Sequence, residues 1–185
     1  QPVGPATQVR LIQEIGPLME WVGRSSEAFL YYQQALEISR EVGSRKLEGI
    51  THGLLASFLE NQEVDRWSEA LEHYQQALAI SREVGNRTLE GKTLGALAGC
   101  RRRQGLIAEA IEFYHQSLAI AREVGNRRNE GFTLSRLAFA KQYQGRIPEA
   151  LELYAQALEV IREVGNRKEE STALAHLASL YHGLG

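Results

Sequence analysis

EVGSR at residues 41–45 returns as EVGNR at 83–87, at 123–127 and at 163–167. Successive copies start 42, 40 and 40 residues apart. The likeness extends upstream: YYQQALEISR (31–40), HYQQALAISR (73–82), FYHQSLAIAR (113–122) and LYAQALEVIR (153–162) are copies of one segment. Self-similarity at a fixed period of this length marks a repeat architecture, in which each unit buries its apolar stripe only by stacking on its neighbours. The longer first interval places two extra residues near Asn61–Arg66, where a loop absorbs them at little cost.

Each unit reads as two helices. Across Ile107–Val124 the residues Ile107, Ala110, Ile111, Tyr114, Leu118 and Ala121 recur three or four apart and share one helical face. Gly43, Gly85, Gly125 and Gly165 each follow the valine, where a left-handed residue ends a helix. Ser44, Asn86, Asn126 and Asn166 come next, each able to cap the following helix. That helix runs through residues such as Leu94, Leu97 and Ala98 to a polar turn at Gly105 or Gly145. Pro148 falls near a helix start, where its missing N–H is harmless. Pro17 falls inside a helix and predicts a kink or a shortened helix. The expected elements are four helix pairs in 6–42, 46–84, 88–124 and 128–164, followed by a terminal helix over 168–183.

Within one unit the small residue Ala98 is followed twelve positions later by Ala110, then by Ser117. The next copy has Ala138, Ala150 and Ala157, and the preceding one Ala56, Ala70 and Ala77. Tyr32, Tyr74, Tyr114 and Tyr154 precede the last small residue, and Gly23, Gly105, Gly145 and Gly185 mark the turn. This pattern resembles the tetratricopeptide repeat, whose usual unit is 34 residues. The longer unit is similar to the long-repeat variety of large bacterial signalling proteins and animal spindle-orientation adaptors. The resemblance implies an all-α fold, a right-handed α-solenoid of antiparallel helix pairs, with 1–185 as a single array.

The resemblance also implies that first helices line a concave groove, and that the groove binds a peptide or protein segment. The positions it assigns to the groove include Trp21, Asn61, Lys92, Arg102, Arg103, Phe132, Phe139, Gln142 and Tyr143. Phe132, Phe139 and Tyr143 share one helix face, so an aromatic patch lies beside basic residues. Such a surface suits a partner with apolar anchors and acidic flanks. The same aromatics equally suit packing between adjacent helices, and Arg101–Arg103 a solvated face. The asparagines with which the spindle-orientation adaptors hold peptide backbone are replaced here by Ala96, Arg136 and His176, and by Gly99, Phe139 and Ser179. A different class of ligand is therefore expected.

Nothing in the sequence requires catalysis. No two of the histidines His52, His73, His115, His176 and His182 stand four apart with an accompanying carboxylate, as a helix-borne zinc site requires, and the glycines spell no phosphate loop. No cofactor, metal or catalytic residue is expected. Glu27, Glu69, Glu109 and Glu149 recur with the repeat in the first turn of a helix, which reads as helix-start electrostatics. A formal charge of −2 gives no field for nucleic acid, and no apolar run approaches a membrane span. The single cysteine, Cys100, excludes an internal disulfide and fits a cytoplasmic setting. The first residue is Gln1 and not Met, which points to processing or to a piece of a longer chain. Leu174, Leu177, Ala178 and Leu180 make the last helix look like an interior copy, so the array is expected to continue or to pair there. The readings are an interaction scaffold or, alternatively, self-assembly through exposed terminal helices.

Overall fold

A computed structural model describes residues 4–62 and 66–182. Among them lie nine helices: α1 (Pro5–Trp21), α2 (Ser25–Glu41), α3 (Arg45–Glu60), α4 (Trp67–Glu83), α5 (Arg87–Arg103), α6 (Ile107–Glu123), α7 (Arg127–Tyr143), α8 (Ile147–Glu163) and α9 (Arg167–His182). The fold is an all-α helical-repeat solenoid. It divides into two compact units, 1–93 and 94–185, with the division falling inside α5. Residues 63–65, where the extra residues of the first interval were expected, lie outside the described residues, as do the turn glycine Gly185 and the last position of the expected terminal helix.

The repeated string is the punctuation of the fold. Gly43, Gly85, Gly125 and Gly165 all have φ of 65–67°, a conformation a side chain disfavours. The next helix is capped by Asn86, Asn126 and Asn166, whose side chains accept from the backbone N–H of Leu89, Asn129 and Glu169 at 3.2, 3.0 and 3.4 Å. Ser44 takes the same place without a side-chain cap bond, so the expectation of four such caps is corrected to three. Its shorter side chain leaves the oxygen one bond nearer the backbone than that of asparagine. Pro17 does not shorten α1, which continues four residues beyond it to Trp21. The proline removes one N–H bond, and packing of the helix face retains the rest.

The string also carries an ion-pair clamp. Glu48 is 7 % exposed and accepts from Arg40 Nε at 3.1 Å and Arg45 Nη1 at 2.5 Å. Glu90 accepts from Arg82 and Arg87 in the same way, and Glu130 from Arg122 and Arg127. Each clamp ties the end of one helix to the first turn of the next. Burial pushes the Glu48 carboxyl up, but the bonds from Arg45 and Arg40 hold it below its ordinary value. Arg45 reaches on to Glu83 at 2.6 Å, and Arg127 to Glu163 at 2.5 Å.

In the first unit α1 packs on α2, α2 on α3 and α3 on α4, and α1 also touches α3. Its core includes Val9, Ile12, Ala35 and Leu47, and a second cluster of Tyr32, Leu55, Phe58 and Leu59. In the second unit α6 packs on α7, α7 on α8 and α8 on α9, and α7 touches α9. Its core includes Tyr114, Leu134, Leu137, Leu158 and Ile161. Each such large side chain contributes about 1.5–3 kcal/mol by leaving water. The small residues at the signature positions, Ala56, Ala70, Ala77, Ala98, Ala110, Ser117, Ala138, Ala150 and Ala157, have no exposed surface. Still closer approach occurs at Gly131, where a Cβ would stand 2.9 Å from Ile161 Cγ1.

Candidate functional site

In the second unit the cluster forms around Phe139 on α7. The Arg102 guanidinium, from the end of α5, lies 5.0 Å from the centre of its ring. Tyr143, one turn further along α7, meets the ring edge-on at 5.2 Å. His176 from α9 lies at 4.5 Å. Phe139 is half-buried among these neighbours, while Tyr143 is 65 % exposed. One turn towards the start of α7, Arg136 stands 4.1 Å over the half-buried ring of Phe132.

The cluster is electrostatically one-sided. Neither Arg102 nor Arg136 forms an ion pair among the described residues, unlike the arginines of the clamps. Burial, and then the charges of Arg102 and Arg136, push the His176 imidazole below its ordinary pKa, so it stays neutral near pH 7. Two unmatched guanidiniums beside aromatic faces attract an anion with an apolar neighbour.

Gln142, assigned to the groove from sequence, turns to Tyr154 and accepts from its hydroxyl at 3.4 Å. The repeat has the same arrangement elsewhere: Tyr32 donates to Glu20 at 2.6 Å and Tyr74 to Glu60 at 2.7 Å. At the matching position in the remaining copy stands Arg102, and the fully buried Tyr114 hydroxyl has no partner among the described residues. Arg103 is exposed at the end of α5.

In the first unit Trp21 is 86 % exposed at the end of α1, Asn61 is exposed just past α3, and Lys92 is exposed on α5. This unit also holds a shallow hollow of about 530 Å³ lined by Ser25, Phe29, Phe58, Gln62 and Arg66. Arg66 stands 4.5 Å over the Phe29 ring there. Sequence reasoning singled out neither the hollow nor Arg136 and His176 as members of a cluster. The replacement of two asparagine positions by Arg136 and His176 was the available signal. The first unit also buries His52 against His73, with Nδ1 atoms 2.8 Å apart.

No helix among the described residues is long and apolar enough to cross a membrane. The carboxylates assigned to helix starts pair with nearby cations, Glu27 with Arg24, Glu69 with Arg66, Glu109 with Arg101, and Glu149 with Lys141 and Arg146.

A family model for the tetratricopeptide repeat matches residues 47–123 and 129–185. No curated protein matches the sequence. Among solved structures, aspartyl phosphate phosphatase F from Bacillus subtilis is similar with a TM-score of 0.82 at 17% identity, over 93% of this chain and 45% of that one. A putative kinesin light chain from Podosopora anserina, with nearly identical repeats, gives 0.73 at 21% identity, over 98% of this chain and 88% of that one. A Rap protein complexed with competence and sporulation factor gives 0.78 at 15% identity, over 97% and 55%. These likenesses establish a shared fold, and the chain spans less than half the length of the Bacillus protein.

Proposed function

The chain belongs to the tetratricopeptide-repeat family of interaction scaffolds, and from that premise we propose that residues 94–185 hold a segment of a partner protein along the α7 face. The observation that carries this reading is the cluster of Arg102, Arg136, Phe139 and Tyr143, with two uncompensated charges and an exposed aromatic. A partner segment that fits it presents an apolar residue to Phe139 and Tyr143 and acidic residues to the arginines. Arg103, Phe132 and Gln142 are further proposed contacts on the second unit, and Trp21, Asn61 and Lys92 are separate proposed contacts on the first unit by itself. On this reading 1–185 is one array, a cytoplasmic module of a larger signalling protein with no catalytic residues of its own.

The test is capture of partners from a lysate of the source cell by the parent chain and by the double variant Phe139→Ala/Arg102→Glu. Capture of a defined protein by the parent alone, reproduced with that protein purified, supports the α7 face. Equal capture by both chains moves the site elsewhere. A second reading, self-assembly, is favoured by the exposure of Leu174 (41 %) and Tyr181 (59 %) on α9. Sedimentation as a monomer at all practical concentrations removes it.

A further inference from the structure

One copy of the repeat differs from the others at two positions at once. The other copies carry apolar or aromatic side chains there: Ile12 with Tyr31, Leu94 with Phe113, and Leu134 with Leu153. The second copy has an imidazole at both, His52 on α3 and His73 on α4. Their Nδ1 atoms stand 2.8 Å apart, with the ring planes tilted by 42°. Polar rings in an otherwise apolar slot are costly, and here the two replacements face each other.

The surroundings fix the roles of the nitrogens. His52 is 4 % exposed, whereas His73 is half-buried, so the pair opens to solvent on the His73 side. On the closed side Glu48 Oε1 lies 4.0 Å from His52 Nε2, and Arg40 and Arg45 hold that carboxylate in place. A carboxylate there favours the proton on His52 Nε2. His52 Nδ1 is then the acceptor, and His73 Nδ1–H donates to it. An ion about 2.0–2.1 Å from both Nδ1 atoms, spanning their 2.8 Å separation, has an N–metal–N angle of about 90°. That is the angle between neighbouring ligands of a tetragonal ion such as Cu²⁺ or Ni²⁺. Small turns of the rings about their Cβ–Cγ bonds aim both lone pairs at that point, and His73 turns on the solvent side.

We infer that His52 and His73 form a two-imidazole site for a divalent transition-metal ion of the Cu²⁺ or Ni²⁺ class, which staples α3 to α4. The proton between the rings moves to His73 Nε2, so each ring binds through Nδ1 and keeps one N–H. Glu48 orients His52 from behind, as an outer carboxylate does for a metal-bound imidazole. Among the described residues no group of three metal-ligating side chains forms, so water fills the remaining positions from the His73 side. Residue spacing carries no sign of the site, because the two histidines lie 21 residues apart on different helices. The site lies within the first unit and is independent of the α7 face.

The experiment is a titration of isotope-labelled 1–185 with Ni²⁺ at neutral pH, followed by calorimetry and by NMR of the imidazole nitrogens. Mg²⁺, which prefers oxygen ligands, is the control. The expected result is saturable binding of one Ni²⁺ per chain and none of Mg²⁺. Paramagnetic broadening should begin at the Nδ1 signals of His52 and His73, and the unfolding midpoint should rise with Ni²⁺ concentration. His52→Leu and His73→Phe copy Leu94 and Phe113 of the next repeat. Each removes a ligand and should weaken binding by more than about tenfold, the least that a change behind a ligand costs. No saturable binding, equal binding by both variants, or broadening that begins at His115, His176 or His182 overturns the site. The broadening is read on the parent chain, so a variant that fails to fold leaves the test intact.

Discussion

The two units solve the same packing problem with different polar groups. In 1–93 both repeat tyrosines close their hydroxyl bonds on a glutamate, and a histidine pair occupies the α3–α4 contact. In 94–185 one tyrosine closes on glutamine, one has no partner, and the positions matching the histidines hold Leu134 and Leu153 in the apolar core. A repeat scaffold therefore separates tasks. Backbone turns and small-residue contacts stay constant, and the copies differ where side chains cross from one helix to the next. The first unit uses those positions to close itself. The second leaves charge and a hydrogen-bond donor unspent.

The largest effect should come from the feature the units share. Removing the clamped carboxylate takes away two charge-assisted bonds, while Arg45 and Arg127 keep Glu83 and Glu163, so Glu48→Ala and Glu130→Ala should each lose about 2–3 kcal/mol in denaturant unfolding. A loss confined to one variant would show that the clamps are not equivalent.

The histidine pair should make stability depend on pH through the first unit. Burial, then the neighbouring His73, pushes the His52 pKa down to about 4, and burial lowers that of His73. In the unfolded chain both protonate near about 6.5. Between those values the unfolded chain binds more protons, so stability falls as pH drops and recovers as it rises. Acidifying from pH 7 to pH 5 should cost about 2 kcal/mol through His52, with a further loss through His73. The variant His52→Leu/His73→Phe, which copies the Leu94 and Phe113 of a later repeat, should flatten the dependence in the same unfolding experiment.

Tyrosine-to-phenylalanine exchanges test the comparison directly. Tyr32→Phe should lose about 1 kcal/mol with its bond to Glu20, whereas Tyr114→Phe should be neutral or slightly stabilising in the absence of ligand. Gly99→Ala should raise the free energy of unfolding by about 0.5–1 kcal/mol of helix propensity.

The string at 41–45 and its copies marked one helix boundary in each repeat, because a turn glycine acts on backbone within a few residues. The recurring alanines likewise announced the packed faces, since a 3.6-residue period assigns each position to one side of its helix. Pro17 was expected to kink or shorten its helix, and the helix is not shortened, because a proline's local penalty is set against the packing of a whole helix. Ser44 misled because in the same turn its side chain is one bond shorter than that of asparagine and makes no cap bond. What only the tertiary structure decided were the pairings across helices: Arg40 and Arg45 on Glu48, Tyr32 on Glu20, and Arg102 on Phe139 instead of Tyr114. Those depend on where side chains from two or three helices converge, and residue spacing along one chain carries no such distance.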